Sequence, residues 1–398
     1  MSFIQTHLEK IDQYLNDHPK IKFLLPQVIL IIFVLSIIFY FSFNASSNLS
    51  ARGINTGFGF LSNKASFDIQ FSLIEFNSSM TYGRAYLVGL LNTILVSVIG
   101  ILFATILGFI FGILRLSSNP LASGLATTYI EFFRNVSLLL QLFFWYFTVL
   151  RLLPQADNSL VFFDTIYANI KGIYFPEFIW TNLSFLIYGL IFTFISIYFF
   201  NIYARRLREN SGKILPQFLI SLGILIILPT LVTFMFGVGV EFSHPKLEVE
   251  MGIANYIGGS SIIPEFLALA FALSIYTSTF IAENVRAGIL GIDKGQKEAA
   301  ASIGLTNTQI LRLVVIPQAL RIIIPPTTNQ YLNLTKNSSL AAAIAYPDIV
   351  LVFAGTALMQ TGRAIEIVTI TMLTYLTLSI SISIFMNWYN KKVSLTER

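Results

Sequence analysis

Apolar and polar residues alternate along this chain on a coarse scale, long apolar runs separated by shorter polar segments. Eight such runs stand at about 23–43, 85–114, 129–152, 182–203, 214–238, 264–285, 318–345 and 365–388. A helix rises about 1.5 Å per residue, so about 20 apolar residues cross roughly 30 Å of hydrocarbon. Each run therefore predicts a membrane-spanning helix. Between the sixth and seventh, over 286–317, the pattern shortens to that of two amphipathic helices. Asp293 and Gln296 form an Asx-type capping box for a helix holding Glu298, Ala299, Ala300 and Ala301, and Gly304 suits a left-handed stop. Thr306 and Gln309 form a second box, opening a helix with Ile310, Leu311, Val314 and Val315 on its apolar side and Pro317 as its end. The expectation is a rigid knob of two helices, jointed at Gly304 and held between two spans.

The seventh run departs from the others in polarity. Thr327, Thr328, Asn329, Gln330, Asn333, Thr335, Lys336, Asn337, Ser338 and Ser339 crowd into it. A span this polar must face protein or water. Pro325 and Pro326 are expected to break its hydrogen-bond ladder and free backbone groups of the kind that line cavities. Gln330, Asn333 (or Lys336) and Asn337 recur at helical spacing and share a face. Two uses are open to them, lining a path or bonding between helices.

Composition agrees with a membrane protein: 55% hydrophobic, 14% aromatic and only 11% charged, against about 25% charged in soluble domains. The 22 residues before the first run include acids as well as lysines, which fits an uncleaved anchor helix better than a signal peptide. Lysine and arginine set the orientation. With the N-terminus inside, sixteen of the 25 (Arg205, Arg206, Arg208, Lys213, Lys294 and Lys297 among them) fall on inner segments, and seven (including Arg52, Lys64 and Lys171) on outer ones. This count predicts cytoplasmic termini and a cytoplasmic elbow. The outer stretches 153–181 and 240–263 are expected to lie along the membrane surface.

Several chemistries are excluded. No phosphate-loop motif occurs, so ATP hydrolysis is not expected of this chain. The glycines of GFGF (Gly57 to Phe60) suit turns rather than a nucleotide site. There is no cysteine, and His7, His18 and His244 are too scattered for a metal. Neither cofactor nor nucleic acid is implied, and no nucleophile has a base in range.

KGQKEAAASIG (Lys294 to Gly304), with Pro317 thirteen residues on in VVIPQALR, closely resembles the EAA-loop signature of ABC importer permeases. AENVRAGI, PPTTNQYLNLTKNSSL, LVGLLNTILVSVIG (Leu87 to Gly100), RNVSLLLQLFFWYF (Arg134 to Phe147) and FMNWYN (Phe385 to Asn390) are similar to the polar amino-acid branch of that family, the histidine/glutamine permease type. At this closeness the chain looks like the larger permease subunit of a general L-amino-acid transporter, over most of 84–390.

The resemblance implies an all-α integral membrane protein of about eight transmembrane helices. Its parts would be a type I ABC importer five-helix core, a hairpin inserted at 182–238, a coupling loop at 286–317, an extra N-terminal anchor and loop over 1–83, and a tail at 391–398. It implies a non-catalytic subunit moving L-amino acids through a bacterial inner membrane. Implied partners are ATP-binding subunits, a second permease in a heterodimer and a periplasmic binding protein, with lipid around them. Gly295, Glu298, Ala299, Ala300, Gly304 and Pro317 would couple to the ATPase. Gln330, Asn333, Asn337 and Gln141 are the substrate candidates. Relatives that carry basic amino acids have acids at the positions matching Gln330 and Asn337, so the amides here imply broad acceptance. Lys336 would serve a carboxylate or point to an interface.

Arg134 with Glu131, and Glu283 with Arg286, are expected as local ion pairs. The family's break after the arginine lacks its proline here, which puts a kink at Asn135–Leu138 in doubt. Phe143, Phe144, Trp145 and Tyr146 are expected as belt or packing. The rival class is an ion-coupled secondary amino-acid transporter, which usually needs an acid buried mid-membrane.

Overall fold

The structure is a computed structural model that describes residues 19–51, 57–212, 215–250 and 253–393. Lys10, Arg52, Lys213 and Arg398, used in the orientation count, lie outside the described residues, as do His7, His18 and the last five residues of the expected tail. The helices are α1 (Pro19–Ala51), α2 (Tyr82–Leu114), α3 (Pro120–Asn135), α4 (Leu138–Phe143), α5 (Leu183–Ser211), α6 (Gln217–Met235), α7 (Pro264–Leu290), α8 (Lys294–Ser302), α9 (Asn307–Ile310), α10 (Ile316–Asn337), α11 (Leu358–Thr361) and α12 (Ala364–Val393). Among the described residues seven helices are long and apolar enough to cross a membrane, and a bent pair makes an eighth. The chain divides into two compact units.

One unit comprises the chain up to residue 94 together with 347–384. The apolar side chains of α1, Phe33, Phe39 and Phe41 among them, are exposed, as befits a helix whose solvent is lipid. The loop after it is not a loose appendage. Phe60 is 1% exposed, its ring centroid 6.0 Å from that of Tyr82 and 6.1 Å from that of Phe353. Ala85, Ile349, Val352 and Ile367 complete this core. Gly57 of the GFGF turn donates its N–H to Glu366 at 2.5 Å, while its carbonyl accepts from Arg363, whose guanidinium lies over the Phe60 ring.

A buried polar lock joins α2 to the turn at Pro347–Ile349. The Asn92 amide donates to the carbonyls of Phe71 and Pro347, each at 2.9 Å. The Thr93 hydroxyl donates to Gly89 O and accepts from Ile349 N at 3.1 Å. Asp348 is fully buried and accepts Leu351 N at 2.8 Å, at the start of a π-helical stretch, Val350–Ala357. Burial pushes this carboxyl up to about 7.

The other unit comprises 95–346 and 385 onward. Here α2 and α7 approach closely along a G-x-x-x-G stripe. A Cβ on Gly108 would lie 2.6 Å from Ile281, and one on Gly112 would lie 2.7 Å from Ala282 O. Gly288 allows the same contact between α7 and α10, against Ile323. The hairpin α5–α6 closes where Gly189 meets Val232.

The third apolar run is not one straight helix. α3 and the segment Leu138–Leu152 meet at 102°. No proline makes this bend. Gln141 does, donating from Nε2 to Phe133 O at 2.7 Å and to Val136 O at 3.1 Å, carbonyls that the broken ladder leaves without helical donors.

The outer stretches 153–181 and 240–263 fold largely into strands. β1 (Leu160–Phe162), β2 (Ile166–Asn169), β3 (Gly172–Phe175) and β8 (Ser260–Ile262) form an antiparallel sheet in that order. β4 (Glu177–Thr181) pairs with β5 (Gly239–Ser243), prolonging the α5–α6 hairpin as a ribbon. β6 (Lys246–Glu250) pairs with β7 (Ile253–Ile257), and Tyr256 sets its ring 4.7 Å from Tyr167 and 5.0 Å from Tyr174.

Candidate functional site

The elbow after α7 is built from local bonds. The Asp293 carboxylate caps α8, accepting Gly295 N at 2.8 Å, while the Gln296 side chain does not complete the box. At the other end Gly304 takes φ +84°, Leu305 N reaches Ala300 O and Gly304 N reaches Ala301 O. These two bonds are a Schellman stop. The second box is reciprocal: Thr306 N donates to Gln309 Oε1 at 2.9 Å and Gln309 N to Thr306 Oγ1 at 3.4 Å.

Pro317 corrects the expected end of the second elbow helix. α9 passes through a π-helical turn, Leu311–Val315, directly into α10, and Pro317 sits in the first turn of that helix. Because the chain is already helical before it, Pro317 costs the rod one ladder donor, next to the π-turn. The elbow's second helix and the seventh span are one rod.

On this knob Glu298 and Ala299 are exposed, while Ala300 turns inward at 5% exposure. Among the described residues Glu298 has no ion pair. It rims a groove of about 360 Å³ with Ile289, Lys297, Ala301, Ile310, Leu311 and Val315. Ile303, next to the stop, is 78% exposed. A small-residue helix with one free carboxylate beside an apolar groove is suited to seating against another protein.

In α10 both prolines stay inside the helix, so Pro325 and Pro326 do not break the span. They still remove two N–H donors, leaving the carbonyls of Arg321 and Ile322 without their helical partners. Ile323, Ile324, Thr327, Leu334 and Thr335 form the buried side. Asn329, Asn333 and Lys336 are exposed, and Gln330 and Asn337 half-buried. None of these five side chains has a bonding partner among the described residues. Gln141 is not beside them in this sense: its amide nitrogen is engaged at the bend, and its buried Oε1 is unpartnered.

The ion pairs differ in part from expectation. Glu283 and Arg286 do pair, at 3.0 Å. Glu131 does not bind Arg134. Arg115 takes it at 3.1 Å and also binds Glu283 at 2.8 Å. Arg115 has no local partner in the sequence, so only the helix packing reveals it. Tyr146 is buried and donates to Glu265 at 2.8 Å, whereas Phe144 and Phe147 are exposed.

The described residues define a multi-pass helical membrane protein with a capped knob between two spans and an amide-bearing helix running on from it. The family model described as "Binding-protein-dependent transport system inner membrane component" matches residues 211–395. A putative amino-acid ABC transporter permease of Escherichia coli, YhdX, is 45% identical over 387 residues, 96% of each chain. The general L-amino acid permease AapQ of Rhizobium johnstonii is 45% identical over 381 residues, covering 96% of this chain and 94% of its own. BztB of Rhodobacter capsulatus, a glutamate/glutamine/aspartate/asparagine permease, is 37% identical over 93% of each chain. This chain belongs to the family of ABC importer permeases. It is therefore a multi-pass, non-catalytic subunit working with ATP-binding and substrate-binding partners, and the ion-coupled alternative falls.

Proposed function

We propose that this permease carries L-amino acids of mixed side-chain charge inward across a bacterial inner membrane. It works as one half of a heterodimer with a second, similar permease. What carries the reading is the row of partner-free polar groups on α10, Asn329, Gln330, Asn333, Lys336 and Asn337, in a helix that must otherwise face lipid. A second permease and a watered path between the two would satisfy them. An amide both donates and accepts, so Gln330 and Asn337 neither require a cationic side chain nor repel an anionic one. The names of the relatives, which range over general and acidic or amide amino acids, support the same breadth.

The excess of lysine and arginine puts the elbow and both termini in the cytoplasm. There Gly295, Glu298 and Ala299 seat in a groove of the ATPase with Ala300 packed beneath them, and Gly304 sets the angle between the first elbow helix and the rod that runs through Pro317 into the seventh span. The binding protein delivers substrate on the opposite side. The anchor and loop of 1–83 and the hairpin of 182–238 are additions to the five-helix core.

The test is Gln330→Glu combined with Asn337→Asp in the reconstituted transporter, with labelled arginine, glutamine and glutamate competing. Two new carboxylates should move the arginine-to-glutamate uptake ratio by about tenfold or more toward arginine, about 1.4 kcal/mol of differential binding. Unchanged ratios would retire the assignment.

A further inference from the structure

We infer that Arg115 is a positioning residue of the transport cycle. It fastens α2, α3 and α7 together at their elbow ends, so that a displacement of the elbow reaches the bent third span as the motion of one body. The inference rests on the proposed reading of the elbow as the ATPase contact.

Its geometry is that of a rivet. Arg115 stands just past α2, and its two terminal nitrogens go to two different helices, Nη1 to Glu283 of α7 at 2.8 Å and Nη2 to Glu131 of α3 at 3.1 Å. Arg286 takes the other oxygen of Glu283 at 3.0 Å. A planar guanidinium holding two carboxylates fixes angle as well as distance, which a lysine cannot do.

The same three helices are already packed without slack beside it. Gly108 and Gly112 press α2 onto Ile281, Ala282 and Val285 of α7. The rings of Phe111 and Tyr129 stack at 3.8 Å, and Tyr129 Oη bonds Ser278 Oγ at 2.8 Å. From Glu283, α7 runs on to Leu290, and Asp293 then caps α8. From Glu131, α3 runs to the bend held by Gln141. Arg115 thus sits where the elbow-bearing helix and the bent span come nearest to a shared fixed point.

Partly exposed ion pairs contribute little to stability, and the side chain of Arg115 is 20% exposed. Loss of the rivet should therefore show in coupling more than in folding.

The chain has no cysteine, so introduced cysteines are the only ones it carries. In the complete transporter, Arg115→Gln and the double variant Glu131→Cys/Glu283→Cys, which places the two cysteines on α3 and α7, are assayed for co-purifying ATPase subunits, basal ATP hydrolysis and substrate accumulated per ATP. Both are expected to keep the ATPase and its basal rate. Both should lose about tenfold in substrate per ATP, the scale of an ordinary coupling free energy. A cleavable methanethiosulfonate cross-linker joining the two cysteines should restore coupling, and reduction should remove it again. Normal substrate per ATP in Arg115→Gln, or transport that stops on cross-linking, overturns the rivet. Failure of ATPase subunits to co-purify with the unaltered chain overturns the elbow reading instead.

Discussion

Replacing Gln141 by leucine tests whether the bend in the third span is made by one amide. The change keeps the volume roughly constant and removes the two bonds, at 2.7 and 3.1 Å, to the carbonyls of Phe133 and Val136. Removing one partner of such a part-buried bond costs about 1–3 kcal/mol for each carbonyl left without a donor. Against this, leucine no longer buries the unpartnered Oε1, which offsets about 1–2 kcal/mol. The expected loss is about 3 kcal/mol, or about 4 °C in the melting temperature of a chain of 398 residues. Thermal unfolding of the purified chain in detergent measures it. Trp145, four residues on and with its ring 5.4 Å from Phe271, gives a fluorescence signal at the bend. An unchanged melt with weakened substrate uptake would refute the reasoning, because Gln141 would then be a substrate group and not a brace.

Two further outcomes follow from the packing and the buried acid. Gly112→Ala would drive a methyl group to 2.7 Å from a backbone carbonyl that cannot rotate away, and should cost about 1–3 kcal/mol in the same melt; a neutral result would mean that α2 and α7 separate freely. Asp348 holds its proton up to about pH 7, against an ordinary 3.8, so the folded state binds the extra proton between these values. Its contribution is full below pH 3.8 and is lost as the pH rises through about 7, with a ceiling of about 4 kcal/mol. Asp348→Asn should flatten the fall in melting temperature between pH 5 and pH 8, and parallel slopes for both proteins would place the titration elsewhere.

The spans and the elbow were legible because both are written in local period: apolar length for one, capping residues three apart for the other. Thr306, Gln309 and Gly304 behave as their spacing implies. What stayed hidden depends on residues far apart in the chain. The bend has no proline to announce it, and a glutamine eight residues from Phe133 braces it. The nearest arginine to Glu131 in sequence is Arg134, but packing brings in Arg115. The strands, three to five residues long, are shorter than any alternation that could announce them, and β3 with β8 and β4 with β5 pair across the hairpin insertion. Pro317 reads as a stop because a proline inside a helical pattern removes a ladder donor; here the π-turn before it lets the helix run on through it.

The π-turn at Leu311–Val315 decides which way the amides of the seventh span point. Each residue added to or taken from an unbroken helix rotates everything beyond it by about 100° about the axis. The azimuth of Gln330, Asn333 and Asn337 is thus indexed from the knob, some way outside the span that carries them. A shift of a single residue in that turn would swing the row toward a different neighbour while every contact at Thr306 and Gln309 stayed as it is.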